Sequence, residues 1–354
     1  MVRVAIDTNG LYTTQAGVAR YIRGLIKGIH KLNVSKLQLS EVAWTVENFS
    51  FRQPQRALKT LYRELVWAKL IAPRIVFRRG VGVFHSAADC LIMPPGVRHV
   101  ATLHDLAVMR HPERFRPWHK RSARKCLERL HKVDRVICIS QFTADEALAL
   151  LKLPHHKLEV IYNGCEFHPD EGSPAELPPP CRVPCEYFLF VGSLEPGKNL
   201  ALLNQVYSLA EKKGIKLPAL VIVGVRWAGL EKEGRPPESW HYLGRQLDPV
   251  LVYLFRRALA LVFPSKYEGF GLPVVEAMAL GCPVICSPVA SLPEVGGDAA
   301  FFTELNAGAY LQAMQNIARN SSLREELIRR GFDHSSKFSW KRCATETIDV
   351  YGRP

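Results

Sequence analysis

Short apolar runs alternate with longer amphipathic segments along most of this 354-residue chain. Six runs in the first half have the length and composition of buried strands: residues 2–6, 37–45, 81–85, 97–103, 135–140 and 158–162. Four segments between them have helical periodicity: residues 19–32, 56–72, 118–132 and 143–151. This alternation predicts an α/β fold with a doubly wound parallel sheet. In such sheets, ligands bind beyond the carboxyl ends of the strands.

A second strand–helix series follows a proline-rich segment, residues 173–185, which has no periodicity of either kind. Because the chain is also too long for one ordinary core, we predict two α/β domains joined by a linker. We place the first domain at residues 1–172, the linker at 173–185 and the second domain at 186–338. Residues 339–354 are predicted to form a terminal helix.

The composition, with 47% hydrophobic and 23% charged residues, is typical of a soluble globular protein. No apolar run approaches the roughly 18 residues of a membrane span. The N-terminal stretch 1–7 is too short and too soon interrupted for a signal peptide, and it predicts the first strand. Nine cysteines without a companion histidine pattern favour reduced thiols over a zinc site. The sequence therefore predicts a cytoplasmic protein.

The net charge of +14 is concentrated in the first half of the chain. Residues 1–172 contain 27 Lys and Arg against 15 Asp and Glu, which gives +12, whereas residues 173–354 carry +2. Within the first half, residues 118–132 are predicted to form a helix with one apolar face and a broad basic face. Such a helix can rest on anionic lipid headgroups, or it can be an ordinary surface helix with solvated charges. Nucleic-acid binding is a further use of basic charge, but no nucleic-acid motif supports it.

One stretch of the second half, FPSKYEGFGLPVVE at residues 263–276, places two glutamates around a glycine-containing turn. A strand is predicted before the turn, and Pro273 and Gly281 suit the start and the end of a helix after it. The turn would expose backbone N–H groups and the positive end of a helix dipole, which suit a phosphate. Glu268 follows the strand. Glu276 is predicted in the first helical turn, where it could be only a cap or a dipole partner.

This stretch and the residues after it, PSKYEGFGLPVVEAMALGCPV, closely resemble the signature of the retaining glycosyltransferases of family 4, which have the GT-B fold. VGSLEPGKN at residues 191–199 resembles the donor-phosphate motif of that family. The resemblance covers essentially the whole chain and is most specific over residues 187–300. It implies two Rossmann-like domains facing across a cleft, with the terminal helix crossing back onto the first domain. The nucleotide-sugar donor would bind mainly to the second domain and the acceptor mainly to the first.

The resemblance also implies how the second domain would hold the donor. Glu276 would bind the ribose hydroxyl groups, Glu268 a hydroxyl group of the transferred sugar, and Lys198 the diphosphate. Five further residues would lie against the phosphates or the sugar: Gly192, Gly269, Phe270, Gly271 and Leu272.

The second cation for the diphosphate is less well defined. Many family members have arginine where this chain has Ser193, so the cation is expected from Arg226, with Arg245 as the next choice. On the residues alone, Lys198 in a loop after a strand is equally consistent with a solvated surface lysine.

Three strand ends in the first half carry further candidates. Gly17 opens a helix and could let backbone N–H groups approach a phosphate, although family members commonly have two adjacent glycines there. His104 lies in the sequence TLHD, which resembles a family element whose histidine lines the sugar pocket. A lone histidine at such a position is more often a hydrogen-bonded structural residue. Asp105 is expected to orient its loop, and Ser140 to cap a helix.

The implied activity is a retaining glycosyl transfer with His104, Glu268 and Lys198 as catalytic residues. No Asp-x-Asp triplet occurs in the sequence, so we expect transfer without a metal and without a cofactor. GDP-mannose is the expected donor because the motifs resemble mannosyltransferases of bacterial polysaccharide or lipid-linked oligosaccharide assembly, and UDP-sugars stay open. The acceptor is expected to be a glycan or a lipid-diphosphate-linked glycan at an anionic membrane surface. Alternatives are a sugar-nucleotide epimerase or disaccharide synthase of the same fold, or a nucleic-acid-binding protein.

Overall fold

The computed structural model describes residues 2–13, 17–35, 37–43, 62, 66, 67, 70–88, 90, 91, 93, 95–165, 167, 183–225 and 240–353. The chain forms two compact units. Unit 1 comprises Met1–Gly164 and Trp340–Pro354, and unit 2 comprises Cys165–Ser339. Each unit contains a six-stranded parallel sheet, which confirms the predicted α/β class with two doubly wound sheets.

Unit 1 is built on a sheet with the strand order β2–β1–β3–β4–β5–β6. The strands are β1 (Val2–Asp7), β2 (Leu37–Val42), β3 (Val83–Ser86), β4 (Arg98–Leu103), β5 (Arg135–Cys138) and β6 (Leu158–Val160). The helices are α1 (Gly10–Thr13), α2 (Gly17–Leu32), α3 (Ala72–Arg78), α4 (Ala107–Arg110), α5 (Pro117–Arg129), α6 (Gln141–Glu146) and the terminal helix, here α13 (Trp340–Gly352). All six strands predicted for the first half are present.

Unit 2 has the strand order β12–β11–β10–β7–β8–β9. The strands are β7 (Tyr187–Val191), β8 (Ala219–Val223), β9 (Trp240–Gly244), β10 (Ala260–Phe263), β11 (Val284–Cys286) and β12 (Phe301–Phe302). The helices are α7 (Leu200–Lys212), α8 (Asp248–Arg257), α9 (Leu272–Ala279), α10 (Leu292–Gly296), α11 (Ala307–Arg319) and α12 (Ser321–Ser335). Apolar residues of α7 at helical spacing join β7 and β8 in one buried core.

The terminal helix α13 packs on α2 within unit 1, as the resemblance implied. Two glycines of α2, one helical turn apart, make this close approach possible. A Cβ atom at Gly24 would lie 2.1 Å from the ring of Trp340, and one at Gly28 would lie 2.6 Å from the Trp340 carbonyl oxygen. Any larger side chain at these positions would push the terminal helix away.

Some predicted elements differ from the structure or lie outside the described residues. The helix predicted at 56–72 falls mostly on residues that are not described, and α3 begins at Ala72, where that helix was expected to end. The linker predicted at 173–185 lies largely in the segment 168–182, which is also outside the described residues. The domain limits at residues 172 and 186 therefore stay a prediction.

The strand orders define one topological switch point in each unit. In unit 2 the chain winds from β7 to β8 and β9, and then returns to form β10 on the other side of β7. In unit 1 it passes from β1 to β2 and returns to form β3 on the other side of β1. Because connections leave the carboxyl ends in opposite directions at such a point, a crevice opens there that can take a ligand.

Within the described residues, no helix combines the length and the hydropathy needed to cross a bilayer. Each described cysteine is a free thiol, and most of them are buried. The described residues also contain no group of three or more His, Cys, Asp or Glu side chains arranged to hold a metal ion.

Candidate active site

Two loops meet at the switch point of unit 2, and we refer to them as the paired loops: residues 192–199 after β7 and residues 264–271 after β10. The first contains a 3-10 turn, Pro196–Lys198, and reaches α7 through Asn199, whose φ is +58°. The backbone N–H of Lys266 donates to the carbonyl oxygen of Gly197 at 2.9 Å and joins the two loops. Two segments far apart in sequence are thus hydrogen-bonded to each other.

Lys198 and Glu268 form an ion pair between the paired loops. The Lys198 Nζ atom donates to Glu268 Oε1 at 2.5 Å, and the two side chains are only 17% and 10% exposed. Nζ also lies 5.5 Å from the centroid of the Phe263 ring, within the range of a cation–π contact. An ammonium group has three N–H donors, so Lys198 can hold Glu268 and still donate to a phosphate oxygen.

Two serines brace the turn that carries Glu268. The Ser291 hydroxyl group lies 3.0 Å from each of the carbonyl oxygens of Glu268 and Phe270, to which it donates. The Ser287 hydroxyl group donates to the carbonyl oxygen of Ser265 at 2.6 Å. Sequence reasoning missed both roles, because a buried serine after a strand carries no distinctive pattern.

Gly271 sets the geometry at the start of α9. Its φ is +99°, and a Cβ atom there would lie 2.8 Å from a methyl group of Leu292. The positive φ favours glycine, and a larger residue would also have to displace the Leu292 methyl group. Leu272 and Phe270 on either side are buried, so the turn presents its backbone at the helix N-terminus.

The structure corrects the position of Glu276. It is the fifth residue of α9, and the first turn of that helix contains no acidic residue. The prediction that Glu276 lies in the first turn is therefore wrong, since the helix already begins at Leu272, before Pro273. A cap role no longer explains this carboxyl group, which is 4% exposed in the second turn.

A close backbone approach next to the paired loops depends on Gly224, which the sequence analysis did not single out. A Cβ atom at Gly192 would make only ordinary contacts, the nearest at 3.8 Å from the Lys198 side chain. Gly224 has a φ of +157°, and a Cβ atom there would lie 1.8 Å from the Gly192 carbonyl oxygen. Gly224 is therefore the residue that lets the ends of β7 and β8 meet.

In unit 1, His104 directly follows β4. Its Nε2 atom lies 2.8 Å from the carbonyl oxygen of Ala87, and its ring meets the ring of Tyr21 edge-on at 5.0 Å. A carbonyl oxygen can only accept, so Nε2 carries a proton and the lone pair of the neutral ring is on Nδ1.

Two other predicted residues of unit 1 have local structural contacts. Asp105 accepts from the N–H of Ala107 at 2.8 Å and so fixes the loop after His104. Ser140 caps α6 by accepting from the N–H of Thr143, as predicted. Gly17 is the exposed first residue of α2, and the residues just before it are not described.

The predicted second cation is not part of the described site. Arg226 lies outside the described residues. Arg245 is exposed and follows β9, the edge strand, two strands away from β7.

Comparison with known proteins gives the class of this site. A profile described as Glycosyltransferase Family 4 matches residues 16–167, and one described as Glycosyl transferases group 1 matches residues 183–334. O-antigen chain mannosyltransferase B of Escherichia coli is 35% identical over 272 residues, which are 72% of this chain and 70% of that protein. The serotype-specific mannosyltransferase WbdA of Escherichia coli is 29% identical over 302 residues, 80% of this chain but 37% of that longer relative.

The chain belongs to the group 1 glycosyltransferases of glycosyltransferase family 4. Among solved structures, sucrose-phosphate synthase from Thermosynechococcus elongatus has a TM-score of 0.76 at 17% identity, covering 99% of this chain and 98% of that chain. A likeness at that identity shows the fold alone, which is GT-B. The protein is a glycosyltransferase, and the paired loops lie where its fold is expected to bind a ligand.

Proposed function

We propose that this glycosyltransferase moves mannose from GDP-mannose to a hydroxyl group of a glycan acceptor, with retention of the anomeric configuration and without a metal ion. Both Escherichia coli relatives described above are named mannosyltransferases, which supports the choice of sugar. The motif resemblance supports a retaining reaction. The acceptor is a growing glycan, free or attached to a lipid diphosphate.

The observation that carries this proposal is the Lys198–Glu268 pair at the switch point of unit 2. In the reaction, the bond between C1 of the sugar and the diphosphate oxygen breaks, and the acceptor oxygen forms a new bond to C1 on the same face. The acceptor proton goes to the departing phosphate. Charge accumulates on the diphosphate as it leaves, so a preorganised ammonium group stabilises the transition state more than the ground state.

The neighbouring groups have matching roles. Glu268 holds a hydroxyl group of the mannose while it orients Lys198. The N–H groups at Gly271 and Leu272, at the positive end of α9, bind phosphate oxygens. Glu276 binds the ribose hydroxyl groups. His104 contacts a sugar hydroxyl group with its ring.

The test is a transfer assay with the full chain, a mannose-terminated oligosaccharide and one of three donors: GDP-mannose, UDP-glucose or UDP-GlcNAc. We expect product only with GDP-mannose, an α-anomeric signal by NMR, and the same rate after treatment with EDTA. A β-linked product would contradict retention. Release of an altered sugar nucleotide without acceptor would indicate the epimerase instead.

We further propose that the basic face of α5 rests on anionic lipid. Four of its cations, Lys120, Arg121, Arg124 and Lys125, line one groove together with a single carboxylate, that of Glu128. Changing all four to glutamine should abolish sedimentation with phosphatidylglycerol vesicles at low salt and leave transfer to a soluble acceptor intact. Undiminished sedimentation of the quadruple variant would refute this surface.

A further inference from the structure

A continuous chain of buried polar contacts runs through unit 1 from the end of the polypeptide to the neighbourhood of His104. The hydroxyl group of Tyr351, on α13, lies 2.7 Å from Nδ1 of His85 on β3. Nε2 of His85 lies 2.7 Å from the hydroxyl group of Thr102 on β4. That hydroxyl group lies 2.8 Å from the hydroxyl group of Tyr21 on α2. Four secondary-structure elements are thereby tied together by side chains alone.

This chain of side-chain contacts ends at the ring of His104. Tyr21 presents its ring to His104 at a centroid distance of 5.0 Å and an interplanar angle of 81°. The Nε2 atom of His104 is held separately, by the carbonyl oxygen of Ala87. Because Tyr21 is almost fully buried and tethered through its hydroxyl group, it forms a rigid wall for the imidazole. The Ala87 carbonyl oxygen therefore sets the tautomer of His104, and the two contacts together set the orientation of its ring.

All links of this chain are uncharged. Burial lowers the pKa of His85 to about 3, so its ring is neutral at physiological pH. Burial likewise raises the pKa values of Tyr21 and Tyr351 far above their usual range. A neutral imidazole has one donor and one acceptor nitrogen, which is what two hydroxyl neighbours require. The chain acts through geometry and not through charge.

Packing alone would not call for these residue types. His85 is fully buried, and apolar side chains of similar volume would fill the space without the cost of removing polar groups from water. A fully satisfied polar network does, however, impose one arrangement on its members, since every link has directional geometry. Three consecutive hydrogen bonds and one ring contact lead to a single, partly exposed histidine, which points to a function of that histidine.

We propose that Tyr21, Thr102, His85 and Tyr351 are positioning residues for His104, so that the terminal helix takes part in catalysis through the orientation of that ring. The inference rests on the proposed role of His104 in sugar transfer. It assigns to the last turn of α13, which carries Tyr351, a function beyond packing against α2.

The experiment compares Thr102→Val, which removes the central link at nearly constant volume, with Thr102→Ser, which keeps the hydroxyl group. We expect Thr102→Val to lower kcat about tenfold with little change in KM for the donor, and Thr102→Ser to restore most of it. In a His104→Ala background, Thr102→Val should cause no further loss, because both changes act through one group. An equal further loss in that background would overturn the proposal.

Tyr351→Phe removes the contact farthest from His104 and should lower kcat by less than Thr102→Val does. Tyr207→Phe in unit 2 is the matched control, since it also removes a buried tyrosine hydroxyl bond, 2.7 Å long to the Pro218 carbonyl oxygen. The control should lower thermal stability and leave kcat unchanged. A loss of kcat in the control as large as in Tyr351→Phe would mean that stability alone is responsible.

A readout independent of transfer separates this proposal from the proposed function. Long-range ¹H–¹⁵N spectra of protein labelled in histidine report the tautomer of His104, which we expect to be the Nε2–H form. Thr102→Val should shift and broaden the His104 ring signals, because it releases the Tyr21 ring that packs against them, and Thr102→Ser should not. Unchanged His104 signals in Thr102→Val would overturn the positioning role. If the signals shift while His104→Ala keeps full activity, it is the proposed catalytic role of His104 that fails.

Discussion

Lys198 and Glu268 are separated by 70 residues in the sequence, yet their side chains form an ion pair between the paired loops. Each residue was predicted from its own motif, and neither motif indicated the ion pair. The pair arises because β7 and β10 are neighbours in the sheet, which follows from the strand order and not from local sequence. A buried pair of this kind holds its cation in place before the ligand arrives.

At this scale, Lys198→Ala should reduce kcat by about a hundredfold or more, since it removes a preorganised donor and leaves the Glu268 carboxylate without its partner. Lys198→Arg should recover only part of the rate because the guanidinium fork does not match a point charge. Steady-state kinetics measures kcat for both variants, and Lys213→Ala, at an exposed lysine, is the control. Full activity of Lys198→Ala would contradict the role at the diphosphate.

Glu276→Ala should weaken GDP binding by about ten- to a hundredfold, as expected for hydrogen bonds to a charged group. The matched ligand is 2′,3′-dideoxy-GDP, which lacks the ribose hydroxyl groups. The wild-type protein and the variant should bind that ligand equally. A variant that loses affinity for both ligands to the same extent would show that Glu276 supports the turn and not the ribose.

At the scale of elements, the contact between α2 and α13 tests how the terminal helix is attached. Gly24→Ala places a methyl group into the Trp340 ring, and we expect a loss of about 1–3 kcal/mol in the free energy of unfolding. Gly308→Ala in α11 is the control, because its nearest neighbour is an ordinary contact at 3.5 Å. Denaturant unfolding should show destabilisation in the first variant only. Equal stability of the two variants would contradict the close packing.

Much of the element pattern could be predicted from periodicity, and the reasons for the exceptions are physical. α2 was predicted at residues 19–32, within two residues of its observed limits, because its apolar residues recur at helical spacing. β12 has only two residues, so its sequence is too short to show the alternation that identifies a strand. Glu276 was misplaced by one residue, from the second turn into the first, because Pro273 was assumed to be the first helical residue, whereas it is the second. The contacts of Tyr21, Gly224 and Ser291 depend on tertiary packing, which no local pattern encodes.

At the scale of the whole molecule, two buried histidines of unit 1 predict a loss of stability in mild acid. Burial lowers the pKa of His85 to about 3 and that of His99 to about 4, from 6.5 in the unfolded chain. Below about pH 6.5 the unfolded state binds more protons, so the unfolding equilibrium constant should rise as the pH falls, by up to about tenfold per unit for each histidine.

Urea unfolding of the full chain at pH 7, 6 and 5 measures this dependence above the usual range of carboxylates. His85→Gln should flatten the slope, because glutamine keeps a donor and an acceptor but does not titrate. A stability that does not change between pH 7 and pH 5 would show that neither histidine is neutral and buried in the folded protein.

The central claim is that the paired loops of unit 2 bind the diphosphate of a sugar nucleotide. The most direct measurement is a calorimetric titration of the full chain with GDP-mannose, GDP, guanosine, UDP-glucose and UDP. We predict saturable one-to-one binding of GDP-mannose, with GDP retaining most of the affinity, guanosine binding far more weakly, and Lys198→Ala losing the contribution of the diphosphate. Absence of binding by every sugar nucleotide, or guanosine binding as tightly as GDP, would contradict the claim.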